Sequence, residues 1–271
     1  KIILLSLTAV AMLGFSVKIL PEIIQQVAFI LPYFVDLSQP ADFSLNHTVN
    51  MYVSSEEGIS LGVWLTVPES QWKEAQGKDL NWYQESLGDG NPVFIYFHGN
   101  TKNRYNTLGY HVVVPDYRGF GDSTGEPTED GLTTDALYIY NWVKARSGSS
   151  LVVIWGHSLG TACVQMIFHI FSKNTPGKVI TFPWKLEGGG HRPSTRKITY
   201  IKKMKSPILF LHSEDDHLAR IENVEEVILV IAQNKDRVKL VKFDGSKGYL
   251  HNGLYRDAKL PGVIKDFVAS L

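Results

Sequence analysis

Ser158 sits in Gly156-His157-Ser158-Leu159-Gly160, a G-x-S-x-G pattern. A serine hydroxyl becomes a useful nucleophile only when a neighbouring base takes its proton. Glycines two residues to either side let it ride a sharp turn with its oxygen exposed. So short a pattern is judged by its flanks. Leu151–Ile154, Leu-Val-Val-Ile, reads as a short apolar strand, and Thr161–Phe171 is apolar at helical spacing without Pro or Gly. A strand that passes into a helix at this point is the setting of a nucleophile elbow. The N–H of Leu159, next after the serine, would then face a developing oxyanion.

The serine needs a base, and the base needs an acid. Where such an elbow occurs the chain order is serine, acid, histidine, so both partners are sought after Ser158. The run Pro207–Asp216 ends in Glu214, Asp215 and Asp216. Asp216, followed by the short dip His217-Leu218-Ala219, fits the acid; the other two read as solvated loop carboxylates. Only His217 and His251 can then be the base. His217 would have to fold back on its own neighbour. His251 follows the last strand and precedes the final helix, where a ring can meet both serine and acid. The expected triad is Ser158, Asp216 and His251, with Asp216 holding the imidazole in the required tautomer.

His98-Gly99-Asn100 closes an earlier apolar run, and the N–H of Asn100 is the expected second oxyanion donor. His98 precedes the serine and reads as a loop brace rather than a base. Cys163, the only cysteine, reads as a small residue packed behind the elbow rather than a second nucleophile. The glycine-rich stretch Asp116–Gly125 lacks a phosphate-cradle pattern and reads as loop shape. With scattered histidines, no H-E-x-x-H and one cysteine, neither a metal site nor a cofactor is expected.

These residues need a scaffold. Val49–Ser55 and Ser60–Pro68 flank a turn at Glu57-Gly58 and read as an antiparallel pair. Further β-rich runs are Pro92–Asn100, Tyr110–Gly119, Leu151–Ser158, Ser206–Asp216 and Arg237–Phe243, most ending in polar or glycine residues, and Thr133–Gly148 reads as an amphipathic helix with a glycine stop. Strands alternating with helices predict an α/β fold: a mostly parallel sheet covered on both faces, with its site at the carboxyl ends of the strands.

The charge is balanced, with 27 basic and 27 acidic residues, which argues against nucleic acid as a partner. A single cysteine excludes a disulfide within the chain. Ile2–Val17 is a 16-residue apolar run between Lys1 and Lys18, short of the ~20 residues that span a bilayer. It is expected to be the tail of a membrane helix. Residues 1–35 thus form an anchoring or interfacial segment, and 48–271 the catalytic domain. Asn46-His47-Thr48 is an N-glycosylation sequon, so Asn46 suggests a lumenal or extracellular domain.

The stretches Asn46–Val53, Gly62–Pro68, Tyr96–Asn100, Leu108–Leu137, Trp142–Gly148, Trp155–Ala162 and Ile208–Asp216 together resemble the lysophosphatidylserine lipase group of α/β-hydrolases. That group comprises α/β-hydrolase domain-containing protein twelve and its B-form paralogue, and the loop Arg118–Gly125 leans to the B form. The resemblance implies a serine hydrolase acting on lysophospholipids or monoacylglycerols. It implies one membrane anchor, a catalytic domain in the endoplasmic reticulum lumen, and the triad on Ser158, Asp216 and His251. Two departures stand out. Between Asn100 and Leu108 only Thr101–Thr107 replaces a full helix, and Lys178–Lys197 replaces a strand and a long cap. Both read as internal deletions. The first is expected to uncover Val93, Ile95 and Phe97, the second to remove a lid, leaving the triad residues on an incomplete scaffold with weak or no activity.

Overall fold

A computed structural model of the chain describes residues 36–99, 109–171, 178–181, 206–231 and 237–271. Among the described residues eight strands form one sheet: β1 (Thr48–Glu56), β2 (Ile59–Thr66), β3 (Val93–Phe97), β4 (His111–Pro115), β5 (Val152–Gly156), β6 (Lys178–Thr181), β7 (Ile208–Ser213) and β8 (Val238–Phe243). Their order is β1-β2-β4-β3-β5-β6-β7-β8. The β1–β2 hairpin and the β2–β4 pair are antiparallel, and every later pair is parallel. The sheet is therefore mixed and mostly parallel, as the alternation of strands and helices predicts.

Among the described residues the longer helices are α1 (Leu80–Ser86), α2 (Glu129–Arg146), α3 (Leu159–Phe171), α4 (Ile221–Ile231) and α5 (Leu260–Ala269). Two apolar layers follow from the strand period of two. Val93, Ile95, Phe97, Val113 and Ile154 face one side and pack with Ala136, Ile139 and Val143 of α2 and with Cys163, Val164 and Ile167 of α3. Phe94, Val112, Val114, Val153 and Leu209 face the other, where Leu260, Ile264 and Phe267 of α5 and Leu37 cover them.

That alternation corrects one expectation. Val93, Ile95 and Phe97 are fully buried, at 0% exposure, because their face belongs to α2 and α3. On the opposite face Phe94 is also fully buried, and its ring stacks on Tyr110 at 5.0 Å. Each such side chain contributes roughly 1.5–3 kcal/mol on burial. The short connection at 101–107 lies outside the described residues, as do residues 182–197 of the second departure.

Helix α2 starts four residues before the expected Thr133. Thr128 caps it by accepting from the Gly131 N–H at 3.1 Å, and Glu129 and Asp130 place negative charge in its first turn. Beside it, Arg118 grips Asp135 of α2 through Nε (3.0 Å) and Nη2 (2.8 Å), while its N–H donates to the same carboxylate at 2.9 Å. Ser55 Oγ of β1 also donates to Asp135, at 2.7 Å. This buried fork pins the glycine-rich loop after β4, which supports the reading of that loop as shape rather than as a ligand cradle. The strand β6 is a finding of the structure: four residues, Lys178–Thr181, at the start of the second departure from the family pattern, pair between β5 and β7.

Candidate active site

At the carboxyl end of β5 the chain turns through Ser158 at φ +51°, in the left-handed region, and enters α3 at Leu159. For a residue with a Cβ this costs about 1–2 kcal/mol, so the surroundings must hold it there. They do so by contact. A Cβ on Gly156 would lie 2.6 Å from the Gly160 carbonyl oxygen, and one on Gly160 would lie 2.0 Å from the Phe97 carbonyl oxygen. Only glycine lets β3, β5 and α3 approach this closely. The His157 N–H donates to Phe97 O at 2.9 Å and ties the turn to the neighbouring strand.

His251 reaches the turn from 93 residues away. Ser158 Oγ donates to its Nε2 at 2.9 Å, and its Nδ1–H donates to Asp216 Oδ2 at 2.8 Å. The other oxygen, Asp216 Oδ1, accepts from the N–H groups of Leu218 and Ala219, each at 2.9 Å. Burial alone would raise the Asp216 carboxyl. The bonds from His251, Ala219 and Leu218 outweigh it and hold the group below the usual carboxylate range. The structure thus joins the three residues expected from the sequence in one hydrogen-bonded chain, with Asp216 ionised and His251 free to accept at Nε2. His217 is exposed and takes no part in that chain.

Leu159 is the first residue of α3, so its N–H has no acceptor within the helix, and the positive end of the helix dipole faces Ser158. Asn100 lies outside the described residues. Gly99 just before it borders the serine: a Cβ there would stand 3.0 Å from Ser158 Cβ. His98 is buried, donates from Nδ1 to Gly99 O at 2.6 Å and sets Nε2 3.3 Å from Asp116 Oδ1, and Tyr117 Oη donates to its carbonyl at 3.0 Å. It braces the loop, as expected. Cys163 is buried, and burial pushes its thiol up to about 12, so no thiolate competes with the serine near neutral pH.

Sequence reasoning missed two neighbours. Asp215 is no idle carboxylate: its two oxygens each accept from the Leu250 N–H at 3.1 Å, and Ser213 Oγ donates to it. His157, the variable residue of the elbow pattern, is buried and donates from Nε2 to the His251 carbonyl at 3.2 Å. Burial depresses its ring to about 4, so it is neutral at physiological pH. Neither contact leaves a trace in local sequence, because each joins segments far apart along the chain.

Comparison with known proteins agrees with this architecture. A family model of the alpha/beta hydrolase fold matches residues 92–179. The chain is 35% identical to "Lysophosphatidylserine lipase ABHD12" of Danio rerio over 301 residues, covering 93% of this chain and 78% of that protein. It is 36% identical to the Xenopus tropicalis protein of the same name, over 94% and 79%, and 35% identical to "Protein ABHD12B" of Homo sapiens, over 89% and 78%. The Danio rerio alignment spans 301 positions, yet 93% of 271 is about 252 residues, so about 49 positions face no residue here. Among solved structures, the Pyrococcus furiosus esterase Pf2001 superposes with a TM-score of 0.62 at 16% identity, covering 87% of this chain and 94% of that one. Est1E of Butyrivibrio proteoclasticus superposes at 0.60 and 17%, over 81% and 98%. These two speak for the fold alone. With a third of its residues shared along most of its length, the chain belongs to the lysophosphatidylserine lipase family of α/β-hydrolases.

Proposed function

We propose that this protein is a serine hydrolase that cleaves carboxylic esters of single-chain lipids, a lysophospholipid such as lysophosphatidylserine or a monoacylglycerol. The observation that carries the reading is the chain Ser158 Oγ–His251 Nε2 (2.9 Å) and His251 Nδ1–Asp216 Oδ2 (2.8 Å) on a left-handed elbow. Ser158 Oγ attacks the ester carbonyl carbon while His251 Nε2 takes its proton. The tetrahedral oxyanion leans on the Leu159 N–H and on a donor of the Gly99–Asn100 loop. Collapse breaks the bond to the alcohol oxygen, which receives the proton from His251. Water, activated by the same histidine, then releases the fatty acid and restores the serine.

The lipid character of the substrate rests on the names of the relatives and on the apolar amino-terminal segment. We read residues 1–35, which lie outside the described residues, as the membrane attachment. Leu37, the second described residue, lies beside the loop after β4. Trp64 Nε1 donates to Leu37 O at 2.8 Å, and Leu37 Cδ1 stands 3.2 Å from where a Cβ of Gly121 would be, in the loop after β4. An anchor joined there holds the site near the bilayer that supplies its substrate. We further read the domain as lumenal, in the endoplasmic reticulum; Asn46 is exposed and open to glycosylation. Alkaline carbonate extraction and a glycosidase mobility shift test these two readings. Release into the soluble fraction refutes the anchor.

The decisive measurement is fluorophosphonate labelling with hydrolysis of lysophosphatidylserine and monoacylglycerol. Wild type should be labelled and active, and Ser158→Ala should lose both, by at least about 10³-fold in kcat. A second reading, a catalytically impaired isoform on an incomplete scaffold, draws on the roughly 49 missing positions. A folded wild-type chain that takes no label would favour it.

A further inference from the structure

The loop that carries His251 has no helix or strand between Gly248 and Gly253. It runs between Gly248, at φ +66°, and Gly253, and it crosses Leu250 at φ +51°, a conformation that a leucine rarely adopts. A histidine on such a loop has a demanding task. Its Nε2 must lie within hydrogen-bond reach of Ser158 Oγ when it takes the proton, and of the leaving alcohol oxygen when it returns it. The bond from Nδ1 to Asp216 orients the ring but leaves the main chain able to carry ring and loop together.

Arg256 bonds the carbonyls of Gly248 and Gly253 at the two ends of the loop, and two further side chains hold the main chain beside His251 itself. On one side of His251, the Asp215 carboxylate accepts the Leu250 N–H at 3.1 Å from both of its oxygens, and Ser213 Oγ keeps the carboxylate turned towards it. On the other side, His157 Nε2–H donates to the carbonyl of His251 itself at 3.2 Å, with the two rings 5.4 Å apart and tilted by 33°. His157 cannot wander, because it is buried and its N–H is bound to Phe97 O within the elbow. The serine and the histidine loop are therefore connected through one residue. We propose that Asp215 and His157 are positioning residues that clamp the main chain of His251 from both sides; this rests on the reading of His251 as the general base. Two adjacent aspartates then divide the work: Asp216 sets the ring, Asp215 sets the backbone. Because burial keeps His157 neutral, it provides a hydrogen bond without placing a second cation beside the imidazolium formed in each half-reaction.

The test uses the full chain with a soluble short-chain ester, with kcat and KM measured separately and folding followed by thermal melting. Asp215→Ala should lower kcat by about 10–100-fold, the scale on which a 1 Å misplacement acts, with KM within about twofold. Asp215→Asn keeps an acceptor for the Leu250 N–H and should recover most of the loss. His157→Leu should behave like Asp215→Ala, and His157→Gln, which keeps an N–H donor, should recover it. The double variant should lose less than the product of the single losses, since both act through one loop. A kcat within twofold of wild type for Asp215→Ala overturns the clamp, as does an Asn variant no better than Ala. Should Asp215→Ala fail to fold, Ser213→Ala, which only lets the carboxylate turn away, must still lower kcat at constant KM; an unchanged kcat overturns the proposal. Ser158→Ala separates the two ideas. If it retains wild-type turnover the reading of Ser158 as nucleophile and His251 as its base fails, and if it is dead while Asp215→Ala is unimpaired only the clamp fails.

Discussion

Within five residues, Gly156 to Gly160, the elbow is held by steric necessity: backbones touch, and a single methyl at Gly160 would meet a carbonyl oxygen at 2.0 Å. Between Gly248 and Gly253 the histidine loop is held by hydrogen bonds from the turn after β7 and from the elbow, residues 35 and 93–94 positions away. Contact at the elbow is short-range and repulsive, so it tolerates nothing. Bonding at the loop is attractive and shared among several donors, so its parts can be removed one at a time. Damage to the first region should be abrupt and damage to the second graded.

The largest effect is expected at the elbow. Gly160→Ala should abolish fluorophosphonate labelling and destabilise the fold by about 3 kcal/mol or more, at the upper end of overpacking costs. Denaturant melts and labelling read it, and a stable, labelled variant would show that the elbow can relax. Next comes Asp216→Asn, expected to lower kcat by about 10⁴-fold through the wrong tautomer of His251, with little change in melting temperature. A drop of less than tenfold would mean that the loop positions the ring without its acid.

A middle effect should appear at the residue that joins the two regions. The His157 ring titrates near 4 in the fold and near 6.5 when unfolded. Between those values the unfolded chain binds the proton and the folded chain does not, so stability falls as pH drops through this window. About 3 kcal/mol is lost by pH 4, from 2.5 units at 1.36 kcal/mol each. His111 and His212, also depressed chiefly by burial, push the same way. Asp216, held below 3.8, enters only at lower pH. Melting at pH 7.5 and 4.5 measures the slope, and His157→Gln should flatten it; equal melting temperatures would contradict a buried neutral ring.

The smallest effect is Leu250→Gly. It relieves the left-handed strain but loosens the unfolded chain, so stability should stay within about 1 kcal/mol of wild type. Turnover should nonetheless fall a few-fold as the loop gains freedom. A variant as active as wild type would mean that the Asp215 bond alone holds the loop.

How much of this was legible follows the same division. Ser158 could be read because its requirements are local: two glycines, a strand before and a helix after, all within about 20 residues of chain. Asp216 and His251 could be read because chain order and strand ends confine them to few positions, even though the bonds that join them span 35 and 93 residues. The apolar runs determined eight or so candidate elements, but not which face of β3 each helix covers. That choice comes from the right-handed crossovers that bring α2 and α3 over Val93, Ile95 and Phe97. The strand β6 went unread because four residues carry too little periodicity to register. Asp215 and His157 were beyond reach for a different reason. One looked like an acid beside the acid, the other like a variable letter in a motif, and no local pattern says whose N–H or carbonyl a side chain will meet. Composition and spacing determined the chemistry this chain can attempt. The packing of β7, β8 and the elbow decided how firmly its histidine is held, because a hydrogen bond between distant segments exists only once the sheet has brought them together.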